Sequence, residues 1–461
     1  MASVTKVNLS SYPRPSDTIA LAPLTPRPLP RLIAPVLPAH LPTPPTSRVA
    51  HPAIADQYVL STHIIPAALP RLAADVPIPS PPAFSPDKQK WNAAVDAKRD
   101  EILDLKVKHW NGELGGGGTT QFWQCLDRYV RKDAALKADG SGLTLLFTHA
   151  NGFPKEIWEP ALVHFLKTNA ASKHPLDITE IWLWEAINHG DSAVLNAGRL
   201  SGVYDWTDNS LDILNFLQYY LPRHPDSQLL PTHLPRLSES HAYSRRQFGF
   251  QSRTFVLIGH SFGGCTGLRA ALECPALFDS LVLVDPIFHP VIPGATFHNE
   301  DNFKLLPPAI RRRSKWASRE EALDLFKKSP FFSAWDPEVL RTYVKHGIQD
   351  DPEGGVSLKT SGIIEAAVFA EALSNAETWL LTKNLDPRIE LRWIMPGLAT
   401  NNAIPKNYLV WLRPENSSNV IIRKSAHLIP HEAPREFAQE LYAFLKKKYG
   451  RRSQSRSKTK L

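Results

Sequence analysis

The sequence predicts an α/β protein built on a mostly parallel, doubly wound sheet, with a helical lid inserted between two strands. Three observations carry that prediction. Six short apolar stretches read as buried strands, and amphipathic helix-like stretches alternate with them. A long segment with helical periodicity and no obvious strand, residues 287–385, separates the fourth apolar stretch from the fifth. The composition, 43% hydrophobic and 21% charged over 461 residues, suits a globular chain with room for one large domain and its appendages.

The first 90 residues hold 19 of the 41 prolines. Proline fixes φ and removes a backbone donor, so residues 1–55 are expected to be disordered or polyproline-like. Residues 56–286 form the first part of the core. They carry two expected insertions: 85–118, charged, with helical character and ending in "GELGGGG", and 222–250, a Pro- and Ser-rich surface loop. Regular order is expected from "LTLLFT" at 143, the first strand. "ITEIWLWEAI" near 180, "TFVLIG" at 254 and "SLVLVDP" at 280 follow as strands. "EIWEPALVHFLKT", "TDNSLDILNFLQYYL" and "GCTGLRAALE" read as the helices between them. After the 287–385 lid, residues 386–448 complete the core with strands "IELRWIMPG" and "NVIIRKSAH" and the helix "HEAPREFAQELYAFLKKK". Residues 449–461 are a basic tail.

Charge and cysteine content exclude several classes. The net charge is +8, and "KKKYGRRSQSRSKTKL" at the C-terminus carries eight Lys and Arg with no acid, so the body is near neutral. A tail of this kind is a weak argument for a nucleic-acid partner. No run of 18 apolar residues predicts a transmembrane helix. Cys125, Cys265 and Cys274 form no CxxC, which fits a reducing compartment and gives no zinc or disulfide framework.

"TFVLIGHSFGGCTGL" then places one serine at a strand-to-helix corner, with glycine two residues to either side. A serine hydroxyl is a poor nucleophile unless a base serves it and the turn projects it clear of the backbone. G-H-S-F-G between a strand and a helix meets the second need and fits the nucleophile elbow of the α/β-hydrolase fold, which predicts Ser261 as nucleophile; the alternative is a glycine-rich strand-to-helix turn with no chemistry. In that fold the histidine follows the last strand, which selects His427; His431, at the start of the next helix, is its rival. The acid usually follows the fifth strand, but "PGLATNNAIPKN" there contains no Asp or Glu. Asp285, at the end of the strand after the elbow, is the candidate instead; the alternative is an Asp that only caps the turn before Pro286. The oxyanion donors expected are the backbone N–H groups of Phe262 and Asn151, with Ala150 and Gly152 as rivals for the second. His149 is expected to order its loop by hydrogen bonds. Gly263-Gly264 lacks the G-x-G-x-x-G dinucleotide pattern, and the serine at the elbow disfavours epoxide hydrolase or dehalogenase chemistry.

The motifs "THANGFPKEIWEP", "NHGDSAVLN", "IGHSFGG", "LVLVDP", "SREEALDLFKKSPFFSAWDPEVL" and "SAHLIPHEAP" together resemble the fungal peroxisomal α/β-hydrolases. That family includes toxin biosynthesis hydrolases, the yeast peroxisomal lipase and the mycophenolic acid acyl-CoA hydrolase. The resemblance spans residues 120–448, and more weakly "YVLSTHIIPAALPR" at 58. It implies Ser261, Asp285 and His427 as catalytic residues, because the family carries its acid directly after the strand that follows the elbow. It also implies ester or acyl-CoA thioester substrates. The proline-rich start, the glycine-rich insertion and the 222–250 loop depart from the family pattern.

The chain ends Thr459-Lys460-Leu461, a variant of the S-K-L peroxisomal address. The expected partners are therefore an acyl ester or acyl-CoA substrate and the peroxisomal import receptor, with cytoplasm as the alternative location. No metal or organic cofactor is required. Arg311, Arg312, Arg313 and Lys315 at the lid edge could meet coenzyme A phosphates or form a solvated face. The expected activity is that of a serine hydrolase acting through an acyl-enzyme. The readings from other classes are a non-catalytic binding protein on the same fold and a nucleic-acid-binding module.

Overall fold

The computed structural model describes residues 11–134, 142–225, 227, 229–293, 303–398 and 405–450. Strand β5 (Thr254–His260) is buried along its whole length near the middle of an eight-stranded sheet. The sheet runs β1 (Tyr58–Pro66), β2 (Trp123–Arg131), β4 (Ile178–Trp184), β3 (Leu143–Thr148), β5, β6 (Ser280–Val284), β10 (Glu390–Pro396), β11 (Ser417–Ile422). From β4 to β11 every neighbouring pair is parallel, and β2 alone runs against both its neighbours. The six strands read from the sequence are β3, β4, β5, β6, β10 and β11.

Strand alternation sends side chains to two apolar layers. Leu145, Phe147, Val256, Ile258, Val282 and Val284 face one, which Trp158, Phe437, Leu441 and Phe444 complete. Leu146, Trp182, Phe255, Leu257, Leu281 and Leu283 face the other, which the helices Trp206–Asn215 and Phe262–Glu273 cover. Each such side chain contributes about 1.5–3 kcal/mol by leaving water.

Order does not begin at residue 143, because β1 and β2 precede it. β2 reads WQCLDRYVR, and its Gln124, Asp127 and Arg128 are all buried. Arg128 pairs with Glu180 on β4 at 2.6 Å, and Asp127 accepts from Thr62 on β1 at 2.7 Å. A strand that buries charges against partners elsewhere in the chain has no apolar signature.

Of residues 1–55, expected to be disordered or polyproline-like, 1–10 lie outside the described residues; 11–51 carry no helix or strand but lie against the body, and 52–55 depart from the expectation as the short helix Pro52–Ala55 with Ile54 buried. Two arginines hold them. Arg27 donates to Asp205 at 2.7 Å and to Glu377 at 2.8 Å. Arg48, with a side chain 2% exposed, meets Asp127 at 2.8 Å, Glu156 at 3.3 Å and also Glu159. The 222–250 loop contains the helix Glu239–Phe248, started by Ser238 and stopped by Gly249 at φ 70°. The 85–118 insertion is the helix Lys88–Trp110, whose Val95 and Ile102 pack on the lid.

The lid is helical, with Leu306–Arg311, Arg319–Lys328, Pro337–Gly347, Gly362–Phe369 and Leu373–Thr382 as its main helices. It also holds a small antiparallel sheet of β7 (Lys315–Trp316), β9 (Val356–Leu358) and β8 (Ile348–Asp350), which the sequence reading did not anticipate. Strands of two and three residues are too short to show period-two alternation.

Candidate active site

β5 delivers its last residue, His260, to a turn in which Ser261 sits at φ 54° and ψ −117°. Positive φ strains a residue with a Cβ, and here it points the hydroxyl away from the sheet edge. The flanking glycines are required by contact. A Cβ on Gly263 would lie 2.6 Å from the carbonyl oxygens of Thr148 and His149, and one on Gly259 would lie 2.6 Å from Cα of Gly264. The helix Phe262–Glu273 starts at the next residue, so its first amides and its dipole face the serine.

Ser261 Oγ donates to His427 Nε2 at 2.9 Å, and His427 Nδ1–H donates to Asp285 Oδ2 at 2.6 Å. An ionised carboxylate only accepts, so the proton of the neutral ring belongs on Nδ1 and Nε2 is left as acceptor. Asp285 follows β6 at φ 34°, with its amide donating to Ile394 on β10 at 2.9 Å. Burial by itself disfavours its charge, but Lys406 and His427 hold the carboxyl well below the usual range. Lys406 Nζ donates to Asp285 Oδ1 at 2.6 Å.

His431 takes no part in this chain of bonds. It is fully buried, with ring centroids 4.4 Å from Phe153, 4.6 Å from Trp335 and 5.6 Å from His260. Both of its ring nitrogens lack a hydrogen-bond partner among the described residues, and burial holds its pKa well below 6.5. His260 stands behind the site, where its Nε2–H donates to the His427 carbonyl at 2.9 Å. Burial lowers its pKa to about 3.

The loop after β3, residues 149–154, faces the serine. His149 Nδ1–H donates to the Ala150 carbonyl at 2.8 Å, and its Nε2 accepts from Ala186 N at 3.1 Å, so both ring nitrogens are engaged. Gly152 N donates to His189 Nε2 at 2.9 Å, which removes Gly152 as an oxyanion donor. The amides of Ala150, Asn151 and Phe262 have no acceptor among the described residues. The Asn151 side chain donates from Nδ2 to the Glu365 carbonyl at 3.0 Å, so the lid helix Gly362–Phe369 grips this loop. Lys155 reaches Asp191 at 3.0 Å. The two motifs around residues 149–160 and 188–196 are therefore halves of one contact.

Ser261 opens on a cavity of about 700 Å³ between sheet and lid. Phe153, Trp206, Ile287, Phe331, Phe332 and Phe369 supply apolar wall, and Asn151, Glu365 and Lys406 supply polar points. Arg311 and Arg312 also reach it; Arg312 pairs with Glu365 at 2.5 Å. Arg313 and Lys315 do not line it, and bond on the surface to Glu321 at 2.8 Å and Glu353 at 2.7 Å.

Sequence reasoning missed Lys406, the Asn151–Glu365 bond and the His260–His427 bond. Lys406 had a signal: it lies within the stretch after β10 where an acid was sought, and a cation stands there.

The family model described as the alpha/beta hydrolase family matches residues 145–440, well over half of the chain. The chain belongs to that family. This alpha/beta hydrolase is 25% identical over 309 residues to the peroxisomal membrane protein LPX1 of Saccharomyces cerevisiae, a match covering 63% of the chain and 72% of that protein. It is 28% identical over 214 residues to the type I acyl-CoA thioesterase mpaH of Penicillium brevicompactum, covering 46% of the chain and 41% of the thioesterase, so the match spans less than half of that relative. It is 34% identical over 111 residues to the abhydrolase domain-containing protein ACTT2-1 of Alternaria alternata, 23% of the chain and 40% of that protein. These are the relatives the sequence motifs resemble. Among solved structures, the yeast peroxisomal alpha-beta-hydrolase Lpx1 superposes with a TM-score of 0.61 at 19% identity, covering 86% of this alpha/beta hydrolase and 90% of the yeast chain, a likeness of fold. Among the described residues, no helix is long and apolar enough to cross a membrane.

Proposed function

We propose that this alpha/beta hydrolase is a serine hydrolase that cleaves an ester or thioester through an acyl-enzyme. The observation that carries the reading is the unbroken run of hydrogen bonds from Ser261 to His427 to Asp285, ending on a largely apolar cavity. His427 Nε2 accepts the serine proton as Oγ attacks the carbonyl carbon. Asp285 stabilises the imidazolium and holds the ring in place. The oxyanion forms beside the amides of Phe262 and Asn151, each worth roughly a hundredfold or more in rate. His427 then returns the proton to the departing alcohol or thiol, and water resolves the acyl-enzyme by the same route.

The acyl-CoA or lipid-like class is supported by the apolar wall and by the thioesterase relative. The peroxisome is supported by the yeast relative; the expected address Thr459-Lys460-Leu461 lies outside the described residues.

The test is a fluorophosphonate probe together with a panel of acyl-CoA thioesters and p-nitrophenyl esters. Labelling and turnover that vanish in Ser261→Ala and His427→Ala are expected. No labelling and no turnover in the unmodified protein would instead favour the non-catalytic binding reading.

A further inference from the structure

Lys406 belongs to none of the roles just described, yet its ammonium lies within bonding distance of Asp285. Its side chain is 9% exposed and that of Asp285 is 0% exposed. The two oxygens of Asp285 are divided, Oδ2 to His427 and Oδ1 to Lys406. A carboxylate held from both ends cannot turn about its last torsion, so the oxygen that faces the imidazole is fixed. Lys406 opens the short helix Lys406–Val410, which follows the loop where the sequence pattern expects the acid itself.

We infer that Lys406 is a positioning residue for Ser261 chemistry: it fixes the Asp285 carboxylate toward His427 and offsets part of its charge. The inference rests on the serine hydrolase reading above. A carboxylate shared with an ammonium stabilises the imidazolium less than a free one does. Removing the ammonium leaves the whole carboxylate charge to the imidazolium. Loss of the lysine charge has two separable effects. Orientation is lost, which slows the reaction, and the imidazole binds its proton more tightly, which moves the acid limb of the pH profile upward.

Other groups face the pair and stay constant in the comparison. His260 lies 5.2 Å from His427 ring to ring, and burial keeps it neutral. His431 lies beyond His260 and is neutral for the same cause. Glu432 accepts from Ala426 N at 2.6 Å beside His427, and His289 lines the same cavity. Tyr12, near Asp285, donates to the Pro396 carbonyl at 3.3 Å.

The experiment measures the rate of fluorophosphonate labelling of Ser261 against pH, which needs no natural substrate. It compares the full chain with Lys406→Met, Lys406→Gln and Lys406→Arg. Lys406→Met is expected to lower the plateau roughly tenfold to a hundredfold, as a misplaced reacting group does. Its acid limb should move up by about half a pH unit or more. Lys406→Arg should restore both. Should Lys406→Met not fold, Lys406→Gln keeps a donor and loses the charge, and its limb must still move. An acid limb unmoved in the folded neutral variants overturns the inference, even if the plateau falls. Absence of labelling in the unmodified protein would sink the serine hydrolase reading instead, so the two failures are distinct.

Discussion

The elbow side of the sheet and its β1–β2 side are held by opposite means. Around β3, β5 and β6 the strands are apolar, and what they position lies at their own C-terminal ends. Around β1 and β2 the packing runs through charge. Arg48, Asp127, Glu156 and Glu159 meet there, drawn from three separate stretches of chain. An apolar strand declares itself in sequence because its burial needs no particular partner. A buried charge is stable only beside a specific opposite charge, and nothing local names that partner. The first region should set rate and the second stability.

The widest separation between the two should come from Ser261→Ala and Asp285→Asn. In the first, labelling should vanish and turnover fall by roughly 10⁶-fold; in the second, both should fall by roughly 10⁴-fold. The urea midpoint of Ser261→Ala should stay near that of the unmodified protein, whereas Asp285→Asn also breaks the buried pair with Lys406 and should lose stability. A large loss of stability in Ser261→Ala would blur the division.

Arg48→Met tests the other side. It leaves three carboxylates buried around a missing cation, which should cost about 3–5 kcal/mol in denaturant unfolding. The folded fraction should label at the unmodified rate. A neutral result would mean that the Arg48 anchor of the proline-rich segment contributes nothing to stability.

Asn151→Ala bridges the regions, because its side chain ties the loop to the lid while its amide faces the serine. Labelling should slow about tenfold as the loop loosens, with little change in melting temperature. An unchanged rate would separate the lid from the oxyanion site.

The smallest effect is expected from His431→Phe. Burial holds the folded imidazole neutral. An unfolded chain takes up a proton there as pH falls through about 6.5, and the folded chain does not. Stability from this group is present above about pH 6.5 and is lost below it. The phenylalanine variant should therefore gain about 1 kcal/mol over the unmodified protein at pH 6 relative to the same comparison at pH 8. Parallel curves at both values would show that His431 titrates normally when folded.

The same physics explains what could be read from the sequence. Ser261, His427 and Asp285 each end or follow an apolar strand, so their meeting followed from counting strands. Asn151 was reachable because its loop follows β3. Lys406 was not, since sequence does not tell which way a loop lysine turns, although the absence of an acid there pointed at the loop. β1 and β2 were missed because polar residues interrupt them, Ser61, Thr62 and His63 in the first and Gln124, Asp127 and Arg128 in the second. The helix Glu239–Phe248 hid within a stretch whose Pro and Ser content suggested a loop. The three short lid strands lay below the length at which alternation can be seen.

The anchoring of the proline-rich segment has a consequence in time. Arg27 binds Glu377, which lies 350 positions later in the chain. A polypeptide made from its N-terminus carries that arginine through most of its synthesis before the acceptor exists. Loop closure over such a span comes at the end, when the lid is in place. The proline-rich segment is thus among the last parts of the chain to find its seat.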